Sequence, residues 1–150
     1  MQKITTFFMF DGQTDAAVKF YTTVFKNSRI VESSPGPDGK VMSAVFELHG
    51  QEFMAFDGGP HFTFAQGMSL LVKCETQDEI DHFYENLSEG GERQPCGWLR
   101  DKFGVSWQII PPVLGAYLRD PDREKAGRVM QTMLKMQKIN IAELEAAYNG

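Results

Sequence analysis

An internal repeat constrains this chain more than any other feature. Displacing the first half by 63 residues places Phe20-Tyr21 on Phe83-Tyr84, Asp15 on Asp78 and Thr6 on Ser69. A displacement of 54 places Gly50 on Gly104, Phe53 on Trp107 and Met54 on Gln108. Each half reads in the same order, strand, helix and three strands, so duplication of one supersecondary unit accounts for the matches. In the first half, residues 3–10 are β-branched and aromatic and read as a buried strand. Residues 14–26 place Ala17, Phe20, Tyr21, Val24 and Phe25 at helical spacing. Strands follow at 29–34, 40–48 and 51–57, separated by the breaker run at 34–39 and by a hairpin at His49-Gly50.

The second half opens with a strand at 68–75. Thr76 and Glu79 are spaced as a capping box, and Ile80, Phe83, Tyr84 and Leu87 supply the apolar stripe of the helix it starts. Short strands near 92–95, 97–102 and 105–110 complete the unit. Pro111-Pro112 breaks this pattern, and residues 113–119 can form one helical turn. Asp120-Pro121 reads as an N-cap followed by proline at the first helical position. Ala126, Val129, Met130, Met133, Leu134 and Met136 form the stripe of the helix that follows, and Asn140 to Glu143 starts a last one ending near Tyr148. The expected domain layout is therefore paired modules over 1–112 (about 2–58 and 66–111), with a helical extension over 113–150 packed on the domain or on a dimer interface.

Composition narrows the partners. The formal charge of −5 supplies no basic field for nucleic acid or an anionic membrane. Seven acids between 75 and 92 read as the solvated face of the second helix and its exit turn. No run approaches the roughly 20 apolar residues of a membrane span, and the first residues lack the pattern of a signal peptide. Two cysteines, Cys74 and Cys96, make a poor disulfide framework for a secreted chain, so reduced thiols and a cytoplasmic location are expected. Twelve phenylalanines point to an aromatic-lined interior or cavity.

The segment Cys96-Gly97-Trp98-Leu99-Arg100-Asp101-Lys102-Phe103-Gly104-Val105-Ser106-Trp107-Gln108 resembles the closing segment of the PhnB-like branch of the vicinal oxygen chelate superfamily. That superfamily also holds glyoxalases, bleomycin and fosfomycin resistance proteins and extradiol dioxygenases. Phe10-Asp11-Gly12 with Phe20 to Phe25, Gly50 to Ala55 and Met133 to Ile139 is similar to further parts of that branch, so the likeness spans nearly the whole chain. It implies an α+β fold of two βαβββ modules, the glyoxalase-like fold, whose curled sheets enclose a cleft, with a helical C-terminal tail. It also implies a homodimer. Proteins of this branch often carry the description 3-demethylubiquinone 3-methyltransferase. A methyltransferase using S-adenosylmethionine usually has a glycine-rich strand-to-helix turn, and neither Asp57-Gly58-Gly59-Pro60 nor Glu89-Gly90-Gly91 has that context.

In metal-dependent members of the superfamily, four cleft-facing positions are His, Glu or occasionally Gln, and hold a divalent ion. The positions equivalent to them here are Thr6, Met54, Ser69 and Gln108. Gln108 is a weak neutral donor, hydroxyls are poor ligands without carboxylates, and Met54 suits soft metals, so no metal and no other cofactor is expected. A one-residue slip of the alignment would bring in Thr5 but still no His or Glu. Strand alternation then turns Thr6, Phe8, Met54, Phe56, Ser69, Leu71 and Gln108 toward the cleft, with Trp98 as a stacking candidate. It places Phe7, Phe53, Leu70, Val105, Trp107 and Ile109 beneath the helices. His49 reads as a turn residue and His82 as a solvated helix residue, while His61 sits in the loop joining the modules with an imidazole suited to acid–base work. Cys96 is either a packing residue beside Trp98 or a pocket thiol. The expected function is metal-free binding of a small, partly apolar molecule. The alternative is an enzyme using a weak divalent metal at Gln108 or acid–base chemistry at His61.

Overall fold

The computed structural model describes residues 2–150 and divides into two compact units, one ending at Thr63 and the other running from Phe64 to Gly150. In the first unit the order is β1 (Thr6–Phe10), α1 (Thr14–Val24), β2 (Arg29–Pro35), β3 (Val41–Leu48) and β4 (Gln51–Asp57). The strands lie in the order β1-β4-β3-β2, with β1 parallel to β4 and the other pairs antiparallel. Alternation along β3 and β4 buries Ala44, Phe46, Leu48, Phe53 and Ala55 against the α1 face, which contributes Ala17, Val18 and Tyr21. The Phe46 ring stacks 5.6 Å from Phe53 and 6.5 Å from Tyr21. Gln13 supplies no side-chain cap to α1, and Asp57 at the end of β4 takes that role, its Oδ1 accepting from Thr14 N at 3.0 Å. One free donor of the helix start is thereby satisfied from the sheet.

The second unit repeats the arrangement with β5 (Leu70–Lys73), α2 (Gln77–Ser88), β6 (Glu92–Arg93), β7 (Trp98–Arg100) and β8 (Ser106–Ile110), ordered β5-β8-β7-β6. Identical strand order and direction in both sheets is the structural counterpart of the sequence repeat. Thr76 caps α2, its Oγ1 accepting from Glu79 N at 3.2 Å. The Glu79 carboxylate reaches back one residue further than a standard capping box, to Glu75 N at 3.2 Å. Gly91 is obligatory between α2 and β6, because a Cβ there would meet Arg100 O at 2.1 Å.

Three helices follow, α3 (Pro112–Leu118), α4 (Arg123–Met133) and α5 (Ile141–Asn149). The cap of α4 is Asp122 rather than Asp120: Asp122 Oδ1 accepts from Glu124 N and Lys125 N, while Asp120 Oδ1 accepts from Asp122 N. The chain thus makes one more turn before the helix starts, and Pro121 lies outside it. Ala126 and Val129 are buried, whereas Met130 and Leu134 from the same expected stripe are exposed. The tail is anchored within its own unit. Cys96 N and Gly97 N donate to Met136 O and Gln137 O at 2.9 and 2.7 Å. The Gln77 side chain donates to Ile139 O and accepts from Ile141 N, both at 2.9 Å. Lys138 bridges Asp81 and Glu85. Arg128 donates to Ala147 O and Tyr148 O, satisfying carbonyls at the end of α5. Among the described residues no helix is long and apolar enough to cross a membrane.

Candidate functional site

Each sheet has one face under its helix and one open face, and the open faces carry the side chains available for ligand chemistry. In the first unit the register gives two complete rows on that face. Phe7 lies opposite Met54, Met54 opposite Val45, and Val45 opposite Glu32. Two residues further on, Met9, Phe56, Ser43 and Ser34 align in the same way. Side chains opposite one another in a sheet share a face, so each row runs from apolar groups on β1 and β4 to a polar group on β2, by way of Val45 or Ser43 on β3. A cavity of about 220 Å³ lies on this face, lined by Phe7, Val45, Met54 and Phe56 together with Glu32 and the serines 33, 34 and 43.

Met54 and Phe56 therefore lie where strand alternation puts them, but β1 is turned by one residue. Thr6 stands opposite Phe53 and Phe8 opposite Ala55, on the helix face. Phe8 is only 4% exposed, with its ring 6.3 Å from Tyr21 and 5.8 Å from Phe53, while Phe7, expected beneath the helix, is 50% exposed. The cause is visible in the register. Thr6 pairs with Phe53 as Leu70 pairs with Trp107, so the first strands repeat at 64 residues while the helices repeat at 63. The partner of Ser69 is Thr5, and the partner of Leu71 is Phe7. With apolar residues at successive positions 7–10, the composition of β1 does not reveal which set is buried.

In the second unit Leu71 and Trp98 both lie opposite Gln108, which puts the three on one row of the open face. Gln108 Nε2 donates to Ser69 Oγ at 2.9 Å, which leaves the amide oxygen as an acceptor. Trp107, Val105 and Ile109 are buried on the opposite side, and Leu70 is half-buried. A buried carboxylate organises the hairpin that presents Gln108. Asp101 Oδ1 accepts from Phe103 N and Val105 N at 2.9 and 3.0 Å, and its Oδ2 accepts from the Trp107 indole at 2.8 Å. The Tyr84 hydroxyl lies 3.0 Å from Gln94 O and 3.1 Å from Trp98 O, fixing the other end of β7, and burial pushes that phenol up.

The remaining candidates are dispersed. His61 is exposed in the segment after β4, and His49 and His82 are exposed as well. Cys96 is half-buried with a left-handed backbone (φ 64°), in the turn that holds the tail. Cys74 is buried, and desolvation pushes its thiol up to about 12. Among the described residues no three His, Cys, Asp or Glu side chains come together as a metal-binding group. The positions matched to metal ligands offer one amide, one thioether and two hydroxyls, and Thr6 is on the wrong face; this set does not fit a hard divalent ion. Among the described residues no glycine-rich turn leads from a strand into a helix: Gly58-Gly59 follows β4 into irregular chain, and Gly90-Gly91 follows a helix. A second hollow, of about 560 Å³, lies between α4 and α5, where Arg128 is already engaged with the carbonyls of α5.

Phe7, Glu32, Ser33, Ser34, Ser43 and Val45 line the cavity without having been candidates from the sequence. Two register irregularities in β2, at Ile30/Glu32 and Ser34/Pro35, decide which of its side chains face the cavity, and a bulge of this kind leaves no reliable sequence signal.

Residues 2–110 match the family model described as 3-demethylubiquinone-9 3-methyltransferase. A PhnB protein from Bacillus cereus with the same description is 42% identical, covering 73% of this chain and 99% of its own, with a TM-score of 0.66. A glyoxalase/bleomycin resistance protein from Albidiferax ferrireducens is 16% identical over 73% of this chain and 98% of its own, at a TM-score of 0.50. A fosfomycin resistance protein from Listeria monocytogenes, solved with manganese and sulfate, is 14% identical over 73% and 91%, at 0.51. The last two show the shared fold alone. No curated protein matches the chain.

Proposed function

Since the chain belongs to the 3-demethylubiquinone-9 3-methyltransferase family, the PhnB-like branch of the vicinal oxygen chelate superfamily, we propose that it binds a small, partly apolar organic molecule on its open sheet faces without a metal. The observation that carries this reading is the 220 Å³ cavity on the first sheet, whose walls combine aromatic and thioether groups with a few hydroxyls. Small-molecule sites are commonly built this way, with an apolar lining for affinity and a few polar groups for orientation. In the second unit Leu71 and Trp98 offer an apolar row around the Ser69–Gln108 pair, whose free amide oxygen can accept one hydrogen bond from a ligand. The donor chemistry of both faces supports organic recognition over a hard cation. The exposed Phe7 and Leu71 are apolar groups that a ligand or a second copy would cover, and a homodimer is the assembly expected in light scattering.

Thermal unfolding of chelator-treated protein tests the proposal. A ligand at about 100 times its dissociation constant adds roughly 2.7 kcal/mol, a shift of about 5–10 °C for a chain of this length. We expect such a shift with members of an organic library, reduced in Met54→Ala, and none with manganese, zinc or magnesium. A metal shift that disappears in Gln108→Ala would reverse the assignment.

A further inference from the structure

The first sheet's open face is polarised, and this polarity carries an inference about the class of ligand it takes. Along the row Phe7–Met54–Val45–Glu32 and the row Met9–Phe56–Ser43–Ser34, hydrocarbon and sulfur give way to hydroxyls and one carboxylate. Strands are spaced about 4.8 Å apart, so the distance from Met54 on β4 to Glu32 on β2 is about 10 Å. Among the described residues no Lys or Arg lines the cavity. Two other acids share this face, Glu47 and Glu52, which stand opposite one another outside the cavity; Glu47 is paired with Arg29 at 3.0 Å, and Glu32, the acid that lines the cavity, makes no ion pair among the described residues. The whole chain carries a charge of −5, which adds a field attractive to cations.

Resting on the binding proposed above, we propose that this site selects apolar cations: a flat or branched hydrocarbon body seated over Phe7, Met54 and Phe56, with a protonated nitrogen about 10 Å away at Glu32. Ser34 and Ser43 accept the ammonium's remaining N–H groups. The same geometry disfavours anions, since a carboxylate or phosphonate head placed there would face Glu32 with no cation to meet it. Glu32 is exposed, so its contribution is screened and modest, about three- to fivefold in affinity.

Three probes sharing one body test this: 2-naphthylmethylammonium, 2-naphthylmethanol and 2-naphthoate. Titrations of the full chain are followed through the ¹³C-methyl signals of Met9 and Met54, with Met130 on α4 of the second unit as the comparison signal. The expected order is ammonium, then alcohol, then carboxylate, with the preference between the first two lost in Glu32→Gln and weakened as salt rises. Phe56→Ala should weaken all three probes alike. Equal affinity for ammonium and alcohol, or a preference that survives Glu32→Gln, overturns the cation assignment while the loss in Phe56→Ala leaves the apolar seat standing. Absence of binding by every probe, with Met9 and Met54 signals that move on dilution of the protein alone, assigns the face to a second copy and overturns both proposals.

Discussion

Replacing Asp101 tests whether its buried carboxylate holds the β7–β8 hairpin. Its two oxygens take N–H groups from Phe103, Val105 and the Trp107 indole at 2.8–3.0 Å, while the residue is 2% exposed. A buried donor left without a partner costs about 1–3 kcal/mol. Asp101→Ala abandons all three donors. Val105 N and the indole are bonded in fully buried surroundings, while Phe103 N is nearer to water, so the expected loss is about 4 kcal/mol. Asp101→Asn keeps one oxygen for the backbone pair but turns an NH₂ toward the indole N–H, so its expected loss is about 2 kcal/mol, or about 4–8 °C in Tm. The assay is urea unfolding followed by Trp fluorescence and circular dichroism. In a Trp107→Phe background the clash is gone, so Asp101→Asn should cost at least about 1 kcal/mol less there. A loss below about 0.5 kcal/mol for Asp101→Asn, or strict additivity with Trp107→Phe, would refute the reasoning.

Four further outcomes follow from the same physical rules. With the buried Cys74 thiol pushed up to about 12 and Cys96 half-buried, native protein at pH 8 should react with one equivalent of a thiol reagent and yield the second only on unfolding, as read by mass spectrometry of the labelled peptides. Gly91→Ala must displace the backbone at Arg100 and should cost several times more than an ordinary surface change. Gly127→Ala, in α4 with nothing within 4 Å of the added Cβ, should instead gain about 0.5–1 kcal/mol in urea unfolding. The hydrogen bond from the Tyr148 hydroxyl to Asp120 lowers the carboxyl and raises the phenol. For Asp120, the contribution is present above the ordinary value of 3.8 and is lost as pH falls through its lowered value. For Tyr148 it is present below 10.0 and is lost as pH rises through its raised value. Amide exchange in α5 should therefore quicken at both pH extremes, and Tyr148→Phe should remove both dependences.

The sequence by itself was sufficient for the modular architecture. The recurrence of Tyr21 at Tyr84 and of Phe53 at Trp107 marks positions whose burial each module needs, and both strand–helix–strand patterns are written in local periodicity. It was also sufficient for the open-face placement of Met54, Phe56, Leu71 and Gln108, since β4 and β8 each contain buried and less-buried residues in alternation. Tertiary structure decided what periodicity leaves undetermined. The successive apolar residues 7–10 of β1 suit either orientation, and only the pairing of Thr6 with Phe53 sends Phe8 into the core and Phe7 to the open face. Asp122 prevails over Asp120 as a helix cap because Asp120 is taken up by the preceding turn and by Tyr148. Glu32 enters the candidate site because an irregular edge strand sets it opposite Val45. Local periodicity records which faces of an element are apolar, whereas register between strands distant in the chain arises only when they pair, and register determines which side chains share a surface.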